Sequence, residues 1–271
     1  LEWRDKTESG FEYNVGVNMS TIRNRMTKLN GGTPISDGPF RNGSMYLTYT
    51  NEGMPIGAFW GYKTDGLIQK QEQLNAVKRA DFQPNAELGD VLFVDTNGDG
   101  KLDSSDRCMI GNPIPDIIYG INMGMAWKGF DLNLQFGGTI GNQIFNAMRY
   151  YTYFPNDITN KDRALMNYWT PNNTNTDIPR LTATDVNDND RFSDMYVENG
   201  TYFRLRNAQL GYTLPASLTQ RIKLQKVRFY VSGQNLFTIS SYSGMDPEVG
   251  GIDYGIYPQN ISFTGGINVT F

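Results

Sequence analysis

The chain has 271 residues, enough for one large or two ordinary domains, and its 29 glycines, 13% aromatic residues and modest 19% charge point to β structure. It contains no histidine, so the usual zinc sites, Ser/His/Asp triads and Cys/His pairs lack an essential member, and the lone Cys108 excludes an intrachain disulfide. A net charge of -4 with no base-binding motif argues against a nucleic-acid partner.

The chain opens on LEWRDK, with neither an initiator methionine nor a basic and apolar leader, so it is expected to be processed, truncated or part of a longer polypeptide. No run of about eighteen apolar residues could form a spanning helix, which still leaves a membrane barrel open. After a partial strand at Leu1 to Lys6, FEYNVGVNMST alternates strictly, with Phe11, Tyr13, Val15, Val17 and Met19 opposing Glu12, Asn14, Gly16, Asn18 and Ser20. A long connection follows, from about Asn30 to Pro113, and its segment 89–113 holds VDTNGDGKLDSSD.

In the register of a twelve-residue calcium loop, Asp95, Asn97, Asp99, Lys101, Asp103 and Asp106 fall on the six ligand positions and Gly100 on the sharp turn. Lys101 would offer only its carbonyl; Asp106 stands where a longer bidentate glutamate is usual. The expected cofactor is therefore a structural calcium ion. The alternative is an Asp/Asn/Gly turn whose side chains cap their own backbone. The β-branched GDVLFVD before the loop and the two prolines after it exclude a helix-loop-helix sensor.

IIYGINMGMAW and FDLNLQFGGTI come next, both period-two and separated only by Lys128 and Gly129. The second long connection, Ala147 to Thr201, offers Tyr150, Tyr151, Tyr153, Phe154 and Trp169 as rings for stacking on a sugar or touching a partner, against the plainer role of packing the loop. Its NTDIPR stretch adds Arg180, a planar donor for a ligand or an anchor for the loop. YFRLRNAQLGYTL changes phase midway, which predicts a bulge near Asn207. VRFYVSGQNLF resumes alternation, a third long connection runs from Ser240 to Asn260, and ISFTGGINVTF ends the chain with one apolar face and one small polar face.

These runs exceed an ordinary strand and match the roughly nine to eleven residues of a tilted membrane strand. Short and long connections alternate without exception. In an up-and-down meander that puts every turn at one end and every long loop at the other, the layout of an outer-membrane barrel. Trp127 and Phe130 beside the tightest turn, and Phe271 at the terminus, fit an interfacial girdle. Asn133, Gln135, Arg228 and Gln234 are expected to face the lumen.

The blocks EGMPIGAFWGYKTDGLIQ, GDVLFVDTNGDGKLDSSDRCMIGNPIPDIIYGINMGMAWKGFDLNLQFGGTIGNQIFN, NTDIPR, ENGTYFRLRNAQLGYTLP and VRFYVSGQNLFTISSYSGMDPEVG, in this order, resemble the C-terminal part of SusC/RagA-type TonB-dependent outer-membrane transporters. The resemblance implies an all-β fold, the C-terminal part of a large up-and-down transmembrane β-barrel with long extracellular loops, spanning 1–271. Barrels of about 22 strands carry a plugged lumen. It further implies import of oligosaccharides or peptides into a Bacteroidota-like Gram-negative cell, with no catalytic residue. The implied partners are a SusD-like surface lipoprotein lid, TonB reached through a plug-bearing part outside this segment, the remainder of the barrel and outer-membrane lipid. Six full strands and part of a seventh cannot close such a barrel, so Leu1–Lys6 and Ile261–Phe271 are expected to pair with further strands. The competing classes are a secreted calcium-stabilised β-sandwich for binding or adhesion, and a glycosidase, for which no carboxylate pair is nominated.

Overall fold

The computed structural model describes residues 1–41, 43–154 and 160–271. Seven antiparallel strands form one continuous sheet, which we call the wall: Glu2–Lys6, Glu12–Thr21, Ile117–Trp127, Phe130–Ile140, Tyr202–Thr213, Lys226–Ser240 and Ser262–Thr270. They lie side by side in chain order, so the sheet is a simple meander with Glu2–Lys6 and Ser262–Thr270 at its edges. Every alternating run in the sequence is a wall strand, because period-two patterning is a local property of a pleated chain with unlike faces.

The tightest turn uses Lys128 and Gly129, both at positive φ (46° and 88°), the pairing that lets a two-residue turn follow the right-handed strand twist. Against Phe130–Ile140, Gln135 pairs with Asn207 and Phe136 with Leu205, so Arg206 is the extra residue of the bulge that the change of phase in YFRLRNAQLGYTL requires.

The apolar side of the wall has two aromatic rows. At the turn end Trp127, Phe130, Tyr212 and Phe229 are cross-strand neighbours. At the loop end Tyr119 and Phe136 stack on Phe203, which also meets Phe237. Tyr119 and Trp127 lie on the same strand, about 27 Å apart along its length. Before strand tilt is allowed for, that is the scale of the roughly 25 Å apolar band of a membrane barrel. Between the rows, Val231 (60% exposed) and, near the edge, Phe263 (79%) lie uncovered, so no second sheet packs there as a sandwich would need.

The opposite side is polar and fine-grained. Arg228 reaches across its neighbouring strand to Asp131 through Nε (2.8 Å) and Nη2 (2.5 Å), and Nη2 also donates to Gln209. Gly211 lies beneath this bridge, where a Cβ would collide with the guanidinium and the carboxylate. The glycine is what permits the crossing.

The long connections are not loose loops. They fold into a cap at one end of the wall. The first holds a four-stranded sheet (Ile35–Phe40, Met45–Thr50, Ala58–Gly61, Cys108–Gly111), a strand pair (Thr64–Leu67, Val91–Phe93) and the helix Gln71–Arg79. In a three-stranded sheet, Gln143–Asn146 sits between Val197–Asn199 and Ile252–Asp253, so the second and third connections are joined. Phe40, Leu47 and Phe59 from the first connection pack with Phe145 of the strand Gln143–Asn146 and with Tyr150, Phe192 and Tyr196 from the second, and Ile252 from the third closes over them. The chain's buried clusters therefore lie in the segments that read as connections.

Candidate functional site

The polar face of the wall and the cap meet at Arg204. Their junction is ionic. Arg204 projects from the polar face of the fifth wall strand, donating to Thr238 Oγ1 (2.8 Å), Asp246 (2.5 Å) and Glu248 (2.7 Å), while Arg206 reaches the other oxygen of Glu248 (2.8 Å). Arg204 and Asp246 are both buried. This network folds the third connection inward over the polar face. Burial pushes the Asp246 carboxyl up, but the Gln259 and Glu248 amides and Arg204 outweigh it and leave its pKa lowered.

A second network braces the first two connections. Arg180 donates through Nε to Asp90 (2.6 Å) and also meets Glu87 (3.0 Å); Asp90 is wholly buried and accepts in addition from Glu87 N and Asn189 Nδ2. Nearby, burial raises the pKa of Asp185, against hydrogen bonds from the Asn189 and Asp190 backbone. The Arg180 fork is committed to protein carboxylates.

The rings divide similarly. Tyr150, Phe154 and Trp169 are buried. The Tyr150 hydroxyl lies between Arg41 Nη1 (3.0 Å) and Asp190 (3.5 Å), and burial, reinforced by Asp190, drives its pKa far above the usual phenol value. Trp169 Nε1 donates to Gln69 (3.0 Å) while its ring lies in the second core cluster. These three are packing residues in this conformation. Tyr151 and Tyr153 keep partial exposure, and the Arg149 guanidinium stacks over the Tyr153 ring at 5.0 Å.

The Asp95–Asp106 loop takes a different shape from the expected calcium cage. Asp95 accepts from Gly98 and Gly100 amides, Asn97 from Asp99, Asp99 from Lys101, Asp103 from Ser105, and Asp106 from Thr96 and Asp103. Lys101 engages through its amide nitrogen, as donor to Asp99. Among the described residues, no group of three or more His, Cys, Asp or Glu side chains converges as a metal site needs. The oxygens cap the loop's own backbone, and the buried Asp106 staples its two ends.

Sequence reasoning passed over the Arg204–Asp246–Glu248–Arg206 cluster. The available signal was the matched spacing of Arg-Leu-Arg at 204–206 and Asp-Pro-Glu at 246–248.

No family model matches the chain. Among curated proteins it is 36% identical over 287 residues to TonB-dependent receptor P3 of Formosa agariphila, covering 99% of this chain and 28% of that receptor. It is 28% identical over 263 residues to the TonB-dependent receptor SusC of Bacteroides thetaiotaomicron, covering 96% and 24%. Among solved structures it superposes on the RagAB peptide transporter with a TM-score of 0.78 at 25% identity, over the whole chain and 28% of its counterpart. The chain matches a segment of a SusC/RagA-type TonB-dependent receptor. It thus spans little more than a quarter of the relatives it resembles. The superposition takes in the seven wall strands and the cap alike, so the strand-rich architecture as a whole is shared with that transporter.

Proposed function

We propose that this chain forms part of the barrel wall and extracellular cap of a TonB-dependent importer in the outer membrane of a Bacteroidota-like Gram-negative bacterium. The cargo is an oligosaccharide or a peptide. A SusD-like lipoprotein covers the cap, solute then passes along the polar face, and TonB acts through another part of the receptor. The two open sheet edges pair with the rest of the barrel. The chain's own work is to bind, line and guide, and no bond is made or broken by its residues.

The observation that carries this reading is the pairing of an uncovered apolar face with a polar, glycine-rich one on a meander whose long connections all lie at one end. The test uses the full-length receptor. It is expected in the washed outer-membrane fraction together with a surface lipoprotein, and deleting its gene should abolish growth on the cognate nutrient. Recovery of the wild-type protein in the soluble fraction would sink the reading.

A further inference from the structure

The cap contains a cavity of about 340 Å³ between the helix Ala147–Tyr153 and the third connection. That volume lies near the lower end of ligand pockets, a size for one residue of a polymer. Its placement follows from the ionic junction: Met245, on its rim, immediately precedes Asp246, which Arg204 holds against the polar face. The cavity therefore lies beside the junction of the cap with the polar face.

Most of its polar lining is already engaged. Asn146 donates to Glu198 (3.0 Å) and Ser243 (3.1 Å) and accepts from Arg149 N (2.9 Å). Asp253 accepts from the Tyr242 hydroxyl (2.6 Å) on one oxygen and from the Gly255 and Ile256 amides on the other. Thr152 Oγ1 donates to Met148 O, Asp162 caps the Ala164 amide, and Arg149 is paired with Asp177, which leaves its buried Nε as a donor without a hydrogen-bond partner. A sugar ring needs several free donors and acceptors around its hydroxyls, and a single remaining donor, Arg149 Nε, does not supply them, whereas it suffices for one peptide carbonyl. The remaining walls are Met148 (41% exposed), Met245 (69%) and the Tyr153 ring, which Arg149 steadies from one side. Unbranched thioethers adapt their shape to varied apolar groups.

We propose that this cavity, walled by Met148, Met245 and Tyr153, is a subsite that takes one apolar side chain of an oligopeptide. The proposal rests on the importer reading and narrows its cargo to peptides. The chemistry is contact with apolar surface, so selection acts on side-chain character and tolerates differences in shape.

The experiment uses the full-length receptor with its lipoprotein in detergent, offered a random oligopeptide library and a panel of soluble oligosaccharides. Bound peptides are identified by mass spectrometry. Peptides containing Leu, Ile, Met or Phe are expected to be enriched about tenfold over those carrying Asp or Ser alone. Met245→Asp should erase the enrichment and Met245→Leu preserve it; the exposed site tolerates both without unfolding. Peptide binding without apolar enrichment, enrichment that survives both Met245→Asp and Met148→Asp, or binding of oligosaccharides alone overturns the subsite and leaves the importer standing. Binding of neither class, with nutrient uptake unaffected by gene deletion, overturns both.

Discussion

In the wall, Phe263, Ile239 and Val231 are 79, 64 and 60% exposed, whereas in the cap Leu47, Phe59 and Phe145 have no exposed surface. On the proposed importer reading the two regions share one chain but answer to different solvents. The wall then satisfies its backbone through the strand ladder and leaves its apolar side chains to lipid, so it needs no core. The cap stands in water and must bury its own apolar groups, which it does by recruiting residues far apart in sequence. A wall can therefore be read strand by strand, while a cap depends on which distant segments meet.

The sharpest way to break this contrast is to empty the cap core. Phe59→Ala is expected to cost about 3–5 kcal/mol of local stability, seen as faster hydrogen exchange throughout the cap with wall protection unchanged. Loss of protection in both regions would mean that they unfold as one unit.

The next largest effect tests the faces of the wall. Val231→Arg places a charge on the apolar side and is expected to cost about 2–4 kcal/mol if it lies near the bilayer midplane. Ser232→Arg, one residue on and facing the polar side, should cost far less. The readout is the fraction of full-length receptor assembled in the outer membrane. Equal losses would refute the assignment of faces.

A smaller effect concerns the junction. The pKa of Asp246 is lowered on folding, so its contribution is present above the ordinary carboxylate range and is lost as pH falls through the folded value. Acidification is expected to loosen residues 241–261 before the wall, as judged by limited proteolysis. Asp246→Asn should remove that acid step by leaving the segment loose at neutral pH. Asp185 acts in the opposite sense, because burial raises its pKa and favours its protonated form. Acid therefore relieves strain in the second connection while it releases the third.

The smallest expected effect lies in the Asp95–Asp106 loop. With its side chains capping the loop's own amides, added calcium should leave its proteolytic cleavage rate unchanged. Protection by calcium, abolished in Asp95→Ala and Asp99→Ala, would show that the loop rearranges into a cage.

Much of the wall was legible beforehand: seven strands, a bulge near Asn207, which falls at Arg206, the Lys128–Gly129 turn and the sorting of short from long connections. The cap was not. Its strands are three to six residues long apart from the two-residue Ile252–Asp253, and too short to show a period. Even the helix Gln71–Arg79 buries only Leu74. Arg180 could be singled out from NTDIPR, but its partner Asp90 lies ninety positions away and no spacing rule links them. The Asp95–Asp106 register fits a calcium loop as a pattern, yet the same oxygens serve equally as caps, and only backbone conformation chooses between the two uses.

The amino-acid order by itself determined the strands of the wall and their faces, because alternation is set by the pleat of each strand and needs no knowledge of its neighbours. The tertiary structure alone decided that the long connections form a cored cap, that Arg204 and Asp246 draw the last of them across the polar face, and that Tyr150, Phe154 and Trp169 are buried. Those outcomes depend on loop closure across tens of residues, where many pairings are open to the chain and packing selects one.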